Sequence, residues 1–332
     1  IVLGIESTAH TFSIGWVDGL GVPGKSVSSF VRPIKGGIHP REAADHHAKN
    51  AGRILNELLE NDVQLSDVKA IAFSQGPGLG PCLRIGASVA RSLAVQLSVP
   101  LVGVNHCVAH IEVGRERCDC DDPVLLYASG GNTQVIARLD GKYRVLGETL
   151  DIGIGNMLDK FAREQGIPFP GGPKIESLAL KWLQDNPEPS LEGLELPYAV
   201  QGMDLAFSGV LNAALNLVEK GVPLPAVCWS LQEHTFAACV EVAERAMAHA
   251  GKTELLLGGG VACNDRLRNM CDVMAQSRDS SSHVPEKFLC IDNGSMIATL
   301  GRLQLLWGSE TILDESGVRQ DLRTDETPIL WN

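Results

Sequence analysis

The sequence predicts an α/β protein built as two duplicated lobes with a nucleotide cleft between them. Three observations carry this. The chain has 332 residues, too many for one ordinary core and right for two. It is 44% hydrophobic but only 5% aromatic, with 35 glycines, which suits many tight strand-to-helix turns better than an all-β design. The third is an internal repeat. Ile5 to Gly19 resembles Ala128 to Gly141: strand, small polar turn, strand, then a turn closing on Asp-Gly. Such a turn presents backbone N–H groups in a concave array that suits phosphate.

The elements follow in order. Ile1 to Ile5 reads as a strand running into polar turn residues, not as a signal peptide. A Gly/Pro loop (Gly36 to Pro40) precedes a helix over Arg41 to Asn61, with Leu55, Leu58 and Leu59 as its apolar face. His46 and His47 on that helix read as core or surface residues. Ala70 to Ser74 is a buried strand, Gln75 to Cys82 a Gly/Pro loop, and Leu83 to Leu97 a helix. Strand, glycine loop and helix make a phosphate-cradle arrangement, though without the Gly-Lys-Ser/Thr ending of a P-loop. Pro100 to Val104 is a strand, and the helix after it starts at His106 with Asn105 as its N-cap.

The acidic loop Arg115 to Asp122 reads as the linker. It divides the chain into an N-terminal lobe of residues 1–118 plus 308–332 and a C-terminal lobe of 119–307. Pro123 to Tyr127 opens the second half as a strand. Helices follow at Gly155 to Gln165, after the rigid turn Pro168 to Pro173, and over Ser230 to Ala250. Glu254 to Leu257 is a strand ending in Gly258-Gly-Gly260. Arg278 to His283 is a polar loop, Phe288 to Ile291 a strand, and Ser295 to Leu306 a helix. The charged tail after Trp307 lies on the surface.

The net charge of −12 argues against a free-standing nucleic-acid binder, since phosphate contacts need clustered Lys and Arg. No apolar stretch is long enough to span a bilayer. Nine cysteines, an odd number, fit reduced thiols in a cytoplasmic protein. Cys118-Asp-Cys120 has the spacing to chelate a soft metal, but no second Cys or His pair sits nearby in sequence, so it reads as loop.

Two constellations carry chemistry. His106 and His110 stand four apart on one helix face, so both imidazoles can reach one point. Tyr127 and Asp292 join them at or just past strand ends, where α/β folds place function. Two imidazoles, a phenolate and a carboxylate suit iron or zinc. Taken singly, Tyr127 reads equally as a half-buried strand residue and Asp292 as a helix cap. The second constellation is a nucleotide site. Ser129, Gly130, Gly131 and Asn132 offer bare backbone to phosphate, and Gly258 to Gly260 permit close approach of adenine or ribose. Asn264 is a polar reader, and Asp159 and Glu176 are acceptors for ribose hydroxyls. These glycines also read as simple turns and the acids as solvated helix residues.

The motifs Gly4 to Thr11, Ser74 to Cys82, Gly103 to Glu112, Ser129 to Thr133, Gly147 to Asp151, Gly171 to Pro173 and Asp292 to Gly294 resemble the Kae1/TsaD/Qri7 family, most closely its archaeal and eukaryotic Kae1 branch. The resemblance covers nearly the whole chain, in order. It implies the actin/Hsp70-like (ASKHA) fold. It implies transfer of a threonylcarbamoyl group from threonylcarbamoyl-AMP to N6 of adenosine 37 in tRNAs reading ANN codons. By this likeness the metal ligands are His106, His110, Tyr127 and Asp292, holding one divalent ion, iron or alternatively zinc. The nucleotide contacts are Tyr127, Ala128, Ser129, Gly130, Gly131, Asp159, Gly172, Glu176 and Asn264, for threonylcarbamoyl-AMP or ATP. Implied partners are tRNA and the KEOPS subunits Bud32 kinase, Cgi121 and Pcc1. Residues Gln276 to Glu286 match the family poorly.

The reaction joins a poor nucleophile, the delocalised N6 amine, to a mixed anhydride with a good leaving group. A Lewis-acidic metal and glycine-loop N–H groups would hold the developing charge. The target base must leave its stack. Glu6, in the first hairpin turn, is the candidate general base. Rival readings are a kinase of the same superfold, an ATP-gated scaffold and a metallopeptidase. The last lacks the Glu of His-Glu-x-x-His, because Cys107 follows His106.

Overall fold

A computed structural model describes residues 1–31 and 39–331. The expected Gly/Pro loop at 36–40 lies mostly outside them. The chain begins with β1 (Val2–Glu6), β2 (Thr11–Val17) and β3 (Val27–Phe30), then α1 (Pro40–Asn61), β4 (Ala70–Gly76), α2 (Gly80–Leu97), β5 (Leu101–Asn105) and α3 (His106–Cys118). It continues through β6 (Val124–Ala128), β7 (Thr133–Leu139), β8 (Lys142–Glu148), α4 (Ile154–Glu164) and α5 (Gly172–Asp185). Next come β9 (Val200–Gln201), β10 (Asp204–Leu205), α6 (Ser208–Glu219), α7 (Leu224–Ala250), β11 (Glu254–Gly258), α8 (Asp265–Ser277) and β12 (Ser281–His283). α9 (Lys287–Cys290) and α10 (Gly294–Leu306) close it.

Two compact units result. The first comprises Ile1–Arg117, Gly141–Tyr143 and Glu286–Asn332; the second comprises Cys118–Asp140 and Arg144–Pro285. The sequence reading returned the chain to the first lobe at residue 308. The return falls at Glu286 instead, because α10 packs on β1, β2 and β4. Three glycines allow this close seat. A Cβ on Gly4 would stand 2.1 Å from the Gly294 carbonyl oxygen, and one on Gly294 would stand 2.1 Å from the Gly15 nitrogen. The Gly294 amide donates to Ser13 Oγ at 3.0 Å, and Ser295 N to Ser26 Oγ at 3.0 Å. Asp292, two residues upstream, is fixed by this seat.

The first sheet has the order β3-β2-β1-β4-β5, with β1 antiparallel to β2 and parallel to β4. Its core joins Leu3, Ile5, Phe12 and Ile14 to Ile54 and Leu58 of α1 and to Ile71 and Phe73 of β4. Truncating a fully buried Leu58 to Ala would cost about 2–5 kcal/mol. Leu55 and Leu59 are only partly buried, so the inward stripe of α1 runs through Ala51, Ile54 and Leu58.

The second sheet has the order β12-β11-β6-β7-β8, with β6 antiparallel to β7 and parallel to β11. The 27-residue α7 lies over this sheet and starts at Leu224, earlier than expected, because Pro223 and Pro225 suit a helix start. Three further expectations are corrected. The stretch at 288–291 is helical at α9 rather than a strand, residues 281–283 form an edge strand rather than loop, and α3 runs on to Cys118 through the expected linker. The tail after Trp307 is pinned rather than merely laid down. Leu322 and Trp331 are buried, and Arg91 Nε donates to Ser316 Oγ at 2.7 Å. Among the described residues no helix is long and apolar enough to cross a membrane.

Candidate functional site

In the first unit β5 passes directly into α3, and Asn105 is the hinge. Its Oδ1 accepts the amides of Cys107 at 2.9 Å and Val108 at 3.2 Å, capping orphan donors of the first helical turn. Its Nδ2 donates to the Arg323 carbonyl at 3.1 Å, so the tail braces the same point. His106 and His110 then lie one turn apart, with ring centroids 4.9 Å apart and planes at 82°. Both are buried.

Asp292 reaches this pair. Its Oδ1 stands 3.3 Å from His110 Nε2 and 3.5 Å from His106 Nε2. Asn293 beside it caps α10 by accepting Met296 N at 2.9 Å. One nitrogen from each imidazole and one carboxylate oxygen all fall within 4.8 Å of each other. A donor set of two histidines and one carboxylate, with positions left open, fits non-haem iron(II) or a hydrolytic-type zinc ion.

Glu6 stands behind His106. It is fully buried at the end of β1, and its Oε2 is 2.9 Å from His106 Nδ1. Its Oε1 accepts both the Thr8 amide at 2.6 Å and the Thr8 hydroxyl at 2.5 Å. Both oxygens are engaged, which suits Glu6 to orienting the imidazole. Spacing in the sequence gave no sign of this contact, because Glu6 and His106 are 100 residues apart. A carboxylate behind a ligating histidine fixes its tautomer and aims the other nitrogen at the metal.

The electrostatics fit a cation. Burial works against charge on His106, but the Glu6 and Asp292 carboxylates outweigh it and raise the imidazole to about 9. Burial lowers His110, despite the hydrogen bond to Asp292. Burial would raise Asp292, but His106, the bond from His110 and neighbouring imidazoles hold it below the usual carboxylate range.

In the expected phosphate cradle at 75–82, three amides are engaged within the chain: Gly78 N by the Gln320 carbonyl at 3.1 Å, Leu79 N by Thr8 O at 2.8 Å, and Gly80 N by Gln320 Oε1 at 3.1 Å.

The second unit holds every residue of the expected nucleotide set. Tyr127 and Ala128 end β6, with Tyr127 buried opposite Gly258 and Gln134. The chain then turns at Ser129 to Asn132, where Ser129 N donates to Asn132 O at 2.9 Å. Gly155 N and Asn156 N at the start of α4 each donate at 3.0 Å, to the Ser129 and Gly130 carbonyls. The Gly130 and Gly131 amides donate to no protein group among the described residues, and a Cβ on Gly131 would meet nothing within 4 Å. Gly259 has φ +87, and a Cβ there would stand 2.4 Å from the Ala128 carbonyl. Two turns therefore pack backbone to backbone where β6 and β11 end.

The polar readers are held by helix starts. Asp159 Oδ1 accepts Gly171 N at 2.7 Å, just before Gly172 opens α5. Glu176 Oε1 accepts Asp265 N at 2.7 Å, and Asn264 caps α8 while donating to Gln232 Oε1 at 2.8 Å. Asp159 and Glu176 are thus anchored while still partly exposed. Gln232 was not singled out from sequence; it lies unmarked inside α7.

Two sheets of one strand order, each with helices, are the architecture of the actin/Hsp70-like class. Solved structures agree on the fold. HypF from T. kodakarensis matches with a TM-score of 0.61 at 15% identity, over 92% of this chain and 48% of that one. An activator of 2-hydroxyisocaproyl-CoA dehydratase from Clostridium difficile matches with a TM-score of 0.55 at 9% identity, over 94% and 98%. The family model for tRNA N6-adenosine threonylcarbamoyltransferase (TsaD) matches residues 25–299, and the chain belongs to that family. A tRNA N6-adenosine threonylcarbamoyltransferase of Thermococcus kodakarensis is 52% identical over the full length of both chains. A probable bifunctional tRNA threonylcarbamoyladenosine biosynthesis protein of Methanosarcina mazei is 49% identical over 99% of this chain. This chain spans about six tenths of the length of that and similar bifunctional relatives.

Proposed function

We propose that this chain transfers the threonylcarbamoyl group of threonylcarbamoyl-AMP to N6 of adenosine 37 in tRNAs reading ANN codons. The observation that carries the reading is the full-length likeness, at 52% identity, to a threonylcarbamoyltransferase. In the transfer, N6 forms a bond to the carbamoyl carbon, the bond from that carbon to the phosphate oxygen breaks, and AMP leaves.

The metal assignment is built on the first unit. His106, His110 and Asp292 would hold a divalent ion, iron by preference and zinc otherwise. Such an ion supplies Lewis-acid stabilisation of an oxygen that gains charge. Tyr127, the fourth ligand expected from sequence, belongs to the second unit, and the assignment rests on the other three. Glu6 holds His106 in the tautomer that presents Nε2.

The adenylate is assigned to the second unit. The Gly130 and Gly131 amides donate to no protein group among the described residues and would receive phosphate oxygens. Gly259 permits close approach, and Asp159, Gly172, Glu176 and Asn264 line the helix starts that would meet the nucleoside. The net charge of −12 argues that tRNA arrives with basic partners. Bud32 kinase, Cgi121 and Pcc1 fill that role in this proposal, in the cytoplasm.

The test is direct. Purified chain is mixed with unmodified tRNA and threonylcarbamoyl-AMP, alone and with the three partners, and nucleosides are read by mass spectrometry. Threonylcarbamoyladenosine at position 37 is expected with partners present. Its absence from the complete mixture, with the complex shown to be assembled, overturns the proposal.

A further inference from the structure

Three metal-ligating side chains meet in the second unit, away from the residues assigned above. One donor atom each from Cys120, Glu254 and His283 lies within 4.8 Å of the others. Read as a sequence, Cys118-Asp-Cys120 is merely loop, because its partners are far away along the chain. The fold brings them in. β6 and β11 are parallel neighbours, with Val124 opposite Leu255, so the segment before β6 lies beside the start of β11. β12 pairs on the other side of β11, with Ser281 opposite Glu254 and His283 opposite Leu256.

Local structure holds each donor. Asp119, at φ +54, turns the chain after α3, and Cys120 follows it into the interior, only 5% exposed. Glu254 Oε2 accepts the amides of Asp121 at 3.2 Å and Asp122 at 3.0 Å, so the carboxylate is tethered to the loop that carries the thiol. His283 Nε2 is 2.7 Å from Ser281 Oγ, which sets the ring on the edge strand. Glu254 and Asp121 add negative charge around the thiol, while Asp122 is paired with Lys252.

We propose that Cys120, Glu254 and His283 form a second metal site, for a borderline ion of the zinc class, clasping the entry to β6 onto the edge strand β12. The donor set selects the ion. A thiolate with an imidazole favours zinc-like over magnesium-like cations, and one carboxylate completes three protein ligands with water as the fourth. Tetrahedral zinc at the usual bond lengths spaces its donors about 3.4–3.6 Å apart. Separations within 4.8 Å stand about an ångström wider than that spacing, a gap that side-chain rotation would close. Binding displaces the thiol proton to solvent as the sulfur–metal bond forms. The site is separate from the nucleotide turns: Glu254 begins β11 and Gly258 ends it, about 13 Å apart at strand rise. Its role is a structural clip, since it ties three segments of one sheet edge.

The experiment uses the full chain with the first centre silenced by His110→Ala. Cobalt(II) is titrated into metal-free protein and followed by absorption. The expected result is a thiolate-to-cobalt charge-transfer band that saturates at one ion per chain. Cys120→Ser on that background abolishes the band. His283→Gln, at a partly exposed position, weakens cobalt binding at least tenfold while the metal-free melting curve is unchanged. In otherwise unaltered chain dialysed against zinc, each substitution lowers bound zinc by one ion. The proposal is overturned if no such band appears, or if it appears and survives Cys120→Ser, which would assign it to another cysteine.

Discussion

In the first unit the strands run β3-β2-β1-β4-β5; in the second they run β8-β7-β6-β11-β12, and the central strands β1 and β6 each pair antiparallel on one side and parallel on the other. What differs is the residue type at the strand ends. The first unit ends β1 on Glu6 and β5 on Asn105, with His106 next, so side chains converge. The second ends β6 and β11 on small residues followed by glycine turns, so bare amides converge. One topology, used twice, yields a side-chain cage suited to a cation and a backbone cradle suited to an anion. The ends of β1 and β6 decide which.

The comparison breaks first at the cage. His110→Ala or Asp292→Ala should lower bound metal by the one ion assigned to this cage and lower transfer at least about 100-fold, with adenine nucleotide affinity within about twofold. Calorimetry beside metal analysis reads both. Equal loss of nucleotide binding would mean that the units do not divide the work. Glu6→Gln keeps the shape but weakens the hold on His106, and should lower metal affinity about 10- to 100-fold.

Acid provides the next contrast. His47, in α1 of the first unit, is fully buried, and burial lowers its imidazole from 6.5 to about 4 in spite of a bond to the Ala9 carbonyl. The folded state thus binds this proton less readily than the unfolded chain. The stability it allows is complete above pH 6.5 and is lost as pH falls toward 4, by roughly 3 kcal/mol at most. Urea unfolding across that range should show the slope, and His47→Gln should flatten it.

Two smaller effects sharpen the picture. Gly259→Ala places a side chain at φ +87 against the Ala128 carbonyl, and should cost about 1–3 kcal/mol in stability. It should weaken nucleotide binding while leaving metal content alone. Gln320→Ala removes the acceptor of the Gly80 amide and should cost about 1 kcal/mol, read by thermal melting, with no change in nucleotide affinity.

Much of this was legible in the sequence, for local reasons. The histidine pair, the Asn105 cap and the glycine turns are set by spacing along one element, and the repeat announced the doubled sheet. The rest depended on contacts far apart along the chain. Glu6 behind His106, Gln232 behind Asn264 and Gln320 in the 75–82 loop leave no periodic mark. The 281–283 strand is too short and polar to register as alternation, and it owes its form to pairing with β11. α9 carries an apolar run that reads as strand, yet it spans only four residues and folds as one helical turn. The domain return at Glu286 was hidden because α10 has apolar residues on all sides and gives no hint of which sheet it serves.

The C-terminal segment has a practical corollary. A boundary drawn after the last helix, at Leu306, looks natural from secondary structure alone. Cutting there would remove the carbonyl of Arg323 that steadies Asn105 and the Gln320 groups that cap α2, in a single stroke. Shortened versions of this protein should therefore lose metal before they lose helix, and a preparation inactive for that reason would wrongly incriminate its histidines.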